Sequence, residues 1–286
     1  MTAPKTAPRS ATVTVVGGCQ VAPRLGDLAA NRDRVAAAVE EAVALGAELL
    51  VLPELVSSGY AFEDRAEARS CAELVDGPFV SALVRLAKEH GIVLVAGFCE
   101  RSGESLFNSA AVVDPSGLRA VYRKVHLWDR ERLVFDAGRE APPVVDTRVG
   151  RVATMVCYDL EFPEFVRLPA LAGAQLLAAP VNWPAHPAPD GERPAEVVRV
   201  QADAAVNRMP VVACDRVGDE RGVGWVGGTV VTDADGWVVG GGWADADEKI
   251  VLAEVDLSSA DDKGIGGLSD IHADRRPDLY KEILRP

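Results

Sequence analysis

A thiol, a carboxylate and an amine stand at three points where apolar runs of this sequence give out. The sharpest is Cys157, in Met155-Val156-Cys157-Tyr158-Asp159-Leu160-Glu161-Phe162-Pro163-Glu164. A buried strand delivers the cysteine to a turn, and a helix opens a few residues later. Its thiol then meets the positive end of that helix, which favours thiolate and makes a competent nucleophile. The same residue reads equally well as a small packed core side chain. Glu54, in Leu52-Pro53-Glu54-Leu55, directly follows a buried apolar strand. Desolvation there raises a carboxyl toward the range of a general base, although a solvated strand end accounts for the motif taken alone. Lys124, in Val121-Tyr122-Arg123-Lys124-Val125-His126-Leu127-Trp128, could aim a fixed cation at a developing oxyanion. By itself a Tyr-Arg-Lys run is a solvated strand edge, where lysine discourages pairing.

The elements that must hold these residues alternate regularly. Apolar runs predict strands over residues 12–17, 49–52 and 92–98, with helices over 27–46 and 79–90 between them. In the first helix Leu28, Val35, Val39, Ala42 and Leu45 fall on one face. A hairpin follows over 106–124, turning at Asp114-Pro115-Ser116-Gly117. The order then recurs: strands over 152–156, 176–181 and 211–214, helices over 164–172 and 195–208, and a hairpin over 225–239. Crossover helices give parallel neighbours and hairpins give antiparallel ones, so each half makes a mixed sheet. The helices cover one face of each sheet, and the remaining faces must bury each other. The expectation is an α/β protein, a four-layer αββα sandwich of two pseudo-twofold duplicated halves. Residues 11–286 form one domain on this reading, after a disordered tail over 1–10.

The 286 residues are 48% hydrophobic and 26% charged, an ordinary globular composition with a sizeable core. A net charge of −13 argues against nucleic acid and anionic membrane surfaces, which reward a basic footprint. No apolar run is long enough to span a bilayer, and residues 1–10 lack the apolar core of a secretory signal. Cys19, Cys71, Cys99, Cys157 and Cys214 are odd in number and scattered, which fits a reducing cytoplasm better than a disulfide framework. His90, His126, His186 and His272 are too dispersed for a ligand set, and no metal or organic cofactor is called for.

Taken in order, the three motifs resemble those of the nitrilase superfamily of carbon–nitrogen hydrolases, whose members use a glutamate–lysine–cysteine triad. The matching stretches surround Glu54, Lys124 and Cys157, seventy and thirty-three residues apart, and the resemblance runs from about residue 12 to about residue 280. It implies the same four-layer sandwich and an amide hydrolysis through a thioester. Glu54 would be the base, Cys157 the nucleophile, and Lys124 with the Tyr158 N–H the oxyanion holder. A second glutamate positions substrate in such proteins; Glu131 is the candidate and Glu140 the weaker one. Tyr60, Trp128, Tyr158, Asn182 and Trp183 are expected around the substrate, and Phe162 beside them, with core packing the competing role for the aromatics. The branch resembled is the bacterial amidases acting on small primary amides. N-carbamoyl amino-acid hydrolase and nitrilase are the alternatives, and a non-catalytic binding protein on the same fold is the alternative of another class. Pairing into a homodimer or higher homo-oligomer is also expected, with residues 269–280 either reaching a partner or folding on their own chain.

Overall fold

The computed structural model describes residues 13–186 and 189–284, so the tail expected over 1–10 lies outside the described residues. The first half runs β1 (Val13–Gln20), α1 (Leu28–Ala44), β2 (Leu49–Val51), α2 (Arg65–Cys71), α3 (Pro78–His90), β3 (Val93–Ser102), β4 (Ser105–Asp114) and β5 (Gly117–Arg123). A short α4 (Glu131–Val134) and β6 (Val144–Thr147) lead into β7 (Gly150–Thr154). Then follow a 3-10 turn at Cys157–Glu161, α5 (Pro163–Leu171), β8 (Leu176–Pro180), α6 (Ala195–Asn207) and β9 (Val211–Cys214). The chain ends with a small ribbon of β10 (Asp219–Glu220) and β11 (Val223–Gly224), then β12 (Val230–Thr232), β13 (Val238–Gly241) and β14 (Lys249–Asp256). Local chemistry sets several boundaries. Asp27 caps α1 by accepting from Ala30 N at 3.1 Å, and Pro78 opens α3, which Gly91 closes in the left-handed conformation.

Two six-stranded sheets result, ordered β14-β1-β2-β3-β4-β5 and β13-β12-β9-β8-β7-β6. Read from β14 and from β6, both sheets show the same succession of one antiparallel, two parallel and two antiparallel pairings. The duplication expected from the element order is therefore present. Each sheet also borrows an edge strand: β6 follows the first half but pairs in the second sheet, and β14 follows the second half but pairs in the first.

Strand periodicity of two divides the buried residues between layers. Val16, Leu49, Val51, Val93 and Val95 of one sheet meet Val152, Leu176, Ala178 and Val212 of the other, forming the central core. The alternate residues Leu50, Leu94, Ala96 and Phe98 face Val35 and Val39 of α1 and Phe79 and Leu83 of α3. On the far side Ala153, Leu177 and Ala213 face Val166 of α5 and Val197 and Val200 of α6. Burial on both faces explains why the central strands read as continuous apolar runs.

Some expectations needed correction. Residues 225–229 do not open a hairpin: Trp225 bridges Pro184, and Val226 N donates to Trp183 O at 2.9 Å, so this stretch folds over the cleft. α2, α4, β6 and β14 were not anticipated. After β14, Lys263 Nζ donates to the carbonyls of Asn207 and Arg208 at the end of α6. Among the described residues no helix is long and apolar enough to cross a membrane.

Candidate active site

Four strand ends supply the cleft. β2 runs into Leu52-Pro53-Glu54, β5 into Lys124, β7 into Cys157 and β8 into Asn182. Close approach at one glycine seats the glutamate: a Cβ on Gly97 of β3 would lie 2.6 Å from Glu54 Cα and 2.5 Å from Leu55 N. Leu55 then takes a left-handed backbone, φ 48°, turning the chain sharply away from the sheet. Cys157 is likewise left-handed at φ 47°, an unusual conformation for a residue with a Cβ and one that marks strain at a functional turn. The loops after β2 and β8 clasp each other, with Asn182 Nδ2 donating to Glu54 O at 2.9 Å.

The charged groups meet without water-exposed surface. Lys124 Nζ donates to Glu54 Oε1 at 2.7 Å and to Glu131 Oε1 at 2.8 Å, and all three side chains are buried. Asn108 of β4 donates to the same two oxygens, at 2.6 and 3.3 Å. Trp128 N donates to Glu131 Oε2 at 2.9 Å, so both oxygens of Glu131 are engaged. Glu54 Oε2, by contrast, is buried and has no hydrogen-bond partner. Glu140 is exposed and away from this cluster.

Electrostatics follow from that burial. Desolvation pushes the Glu54 carboxyl up to about 7; Lys124 pulls it down and Glu131 adds to the rise. Burial alone lowers the Lys124 ammonium, but Glu131 and Glu54 outweigh it and hold the lysine charged. The thiol of Cys157 is pushed well above its ordinary range, first by burial and then by the charge of Glu54, against a smaller opposing pull from Lys124. The thiolate expected at a helix end is thus opposed: burial and the charge of Glu54 both favour the neutral thiol. Its sulfur lies 3.7 Å from Asn182 O.

Every expected substrate residue lines one cavity of about 280 Å³ with Cys157: Tyr60, Trp128, Tyr158, Asn182 and Trp183. Phe162 instead stacks on His126, 3.8 Å between ring centroids, which is a packing role. Three positions were missed in the sequence. Asn108 carried a signal, being a poor strand former inside an otherwise apolar run. Asp159 ties the cysteine turn to the lysine segment, accepting from Tyr122 Oη at 2.7 Å and His126 N at 3.0 Å. Glu220 accepts from the backbone N–H of Tyr60 and Ala61, both at 2.9 Å, and pairs with buried Arg216 at 2.7 Å. Nothing local in the sequence marks these last two, because their partners are distant in the chain.

Known proteins agree with this frame. The nitrilase of Pyrococcus abyssi is 36% identical over 262 residues, which is 91% of this chain and 97% of that protein. The citrullinase of Francisella tularensis subsp. tularensis is 32% identical over 273 residues, 90% of this chain and 93% of that one. A solved amidase from Nesterenkonia sp. superposes with a TM-score of 0.77 at 26% identity, covering 96% of this chain and 98% of its own. A mutant of the Nesterenkonia sp. AN1 amidase carries the acetamide moiety of fluoroacetamide added covalently to its active-site cysteine. The carbon–nitrogen hydrolase family model matches residues 12–263. With nearly the whole chain matched on this duplicated frame, the protein belongs to the carbon–nitrogen hydrolases of the nitrilase superfamily.

Proposed function

We propose that this hydrolase cleaves small primary amides to carboxylate and ammonia through a thioester on Cys157. The observation that carries the reading is the unpartnered, buried Oε2 of Glu54, on a carboxyl whose other oxygen is fixed by Lys124 and Asn108 and whose charge reaches Cys157. Glu54 takes the thiol proton as the sulfur bonds to the amide carbon. Lys124 and the Tyr158 N–H hold the oxyanion, fixed donors that need no reorganisation as charge develops. The C–N bond breaks, and ammonia leaves with the proton from Glu54. Water, deprotonated by the same carboxylate, then adds to the thioester; the acid departs and the proton returns to the sulfur. Glu131, bonded to Lys124, holds the lysine in place.

The covalent cysteine adduct of the Nesterenkonia sp. AN1 amidase supports the nucleophile assignment, and the small cavity supports small acyl groups. Ammonia release from a panel of short amides, nitriles and N-carbamoyl amino acids, run beside Cys157→Ala, tests it. Turnover of amides above the other classes, abolished by the substitution, is the expected result. Preferential turnover of a nitrile or a carbamoyl compound would overturn the substrate assignment, and activity in Cys157→Ala the nucleophile.

A further inference from the structure

The cavity that holds Cys157 has a second wall that the chemistry above does not use. Glu161, His186, Glu196 and Arg199 line it together with the aromatic side chains. Glu161 pairs with Arg199 at 2.6 Å, and His186 Nε2 lies 3.0 Å from Glu196 Oε1. Arg199 is claimed twice, since buried Asp203 behind it also feels its charge. The two glutamates are close enough that Glu196 raises the Glu161 carboxyl, a smaller effect than its partial burial and the opposing pull of Arg199. The same cavity is lined by Asn182, 1% exposed, whose Oδ1 is buried and unpartnered. Two carboxylates and the Asn182 amide oxygen thus share this lining with one guanidinium and one imidazole, and buried Asp203 adds a further acidic group beside Arg199.

Resting on the amide-hydrolase reading, we infer that the acyl group of the substrate carries an ammonium, received by Glu161 and Glu196 of the cavity lining. An acyl group ending in a carboxylate would meet two carboxylates and an arginine already committed to Glu161. Reach agrees with this. Glu161 stands four residues beyond Cys157 along a 3-10 turn rising about 2 Å per residue, so the wall begins about 8 Å from the nucleophile. An amine three or four carbons from the carbonyl spans that gap once the glutamate side chain reaches back. A neutral methyl in the same place would offer these carboxylates no hydrogen bond beyond those from Arg199 and His186.

The test compares three amides of equal chain length, 4-aminobutyramide, pentanamide and glutaramate monoamide, as substrates of the wild-type enzyme and as ligands of Cys157→Ala by calorimetry. The expected kcat/KM order places the amino amide above pentanamide by about ten- to a hundred-fold, as for a hydrogen bond to a charged group, with the anionic amide last. Glu161→Gln and Glu196→Gln should each shrink the amino-to-neutral ratio, and the double substitution should bring it near one. Hydrolysis of pentanamide as efficient as that of the amino amide, or a preference for glutaramate, overturns the ammonium site while leaving the amidase reading intact. An absence of turnover combined with preferential binding of the amino amide to Cys157→Ala overturns the amidase reading and supports the site. Equal binding of all three overturns the site whatever the turnover.

Discussion

At the residue scale, the acid–base chemistry of the proposed mechanism turns on Glu54. Its carboxyl is held up to about 7, so the carboxylate needed to take the thiol proton is lost as pH falls through that value. The kcat/KM profile should therefore rise with pH along a limb centred near 7 and flatten above it. Glu54→Gln should remove the limb and lower kcat by about 10²- to 10⁴-fold, as expected for a positioned general base. A profile flat down to about pH 5, the behaviour of a solvated glutamate, would contradict the assignment. The environment of Glu54 was only partly legible: its place straight after a buried strand pointed to lost solvation, but the motif taken alone favoured a solvated strand end, and the side chain is fully buried. That of Cys157 was only half legible. The helix end is real, but the opposing desolvation and the neighbouring Glu54 depend on contacts that a linear motif does not contain.

At the element scale, the site depends on how closely the backbones of β3 and the Glu54 loop approach. Gly97→Ala places a methyl 2.5 to 2.6 Å from Leu55 N, Glu54 Cα and Pro53 O, all backbone atoms that must move. Over-packing of this kind costs about 1–3 kcal/mol, and displacing a catalytic group by about 1 Å costs about 10²-fold in rate. Thermal unfolding and kcat measured together should show a lowered Tm with a disproportionate loss of kcat; a folded variant with wild-type kcat would contradict the account. The central strands and the helices α1, α3, α5 and α6 were legible because long buried elements write their period into the sequence. β6 and β14 were not. Both are partly exposed edge strands; β6 is a short hairpin partner of the neighbouring β7, whereas β14 pairs residues 249–256 with 13–20, far away in the chain. The stretch after Gly224 failed for the related reason that Trp225 and Val226 pair with the loop after β8 rather than with a neighbouring strand.

At the scale of the whole molecule, two equivalent sheets carry an inequivalent site. β2 and β8 occupy the same place in their halves, yet one leads to Glu54 and the other to Asn182, which donates to the Glu54 carbonyl. The pairing of β14 with β1 carries the end of the second half into the first sheet. The duplication was legible from element order alone. The lending of strands was not, since nothing in the order of elements says which sheet an edge strand joins.

The most direct test of the central claim is mass spectrometry of the protein, acid-quenched during turnover of a slowly hydrolysed amide and then mapped by peptide. The account predicts a transient gain equal to the acyl group less one hydrogen, located on Cys157 and absent from Cys157→Ala. Acyl label on another residue, or continued ammonia release by Cys157→Ala, would contradict it.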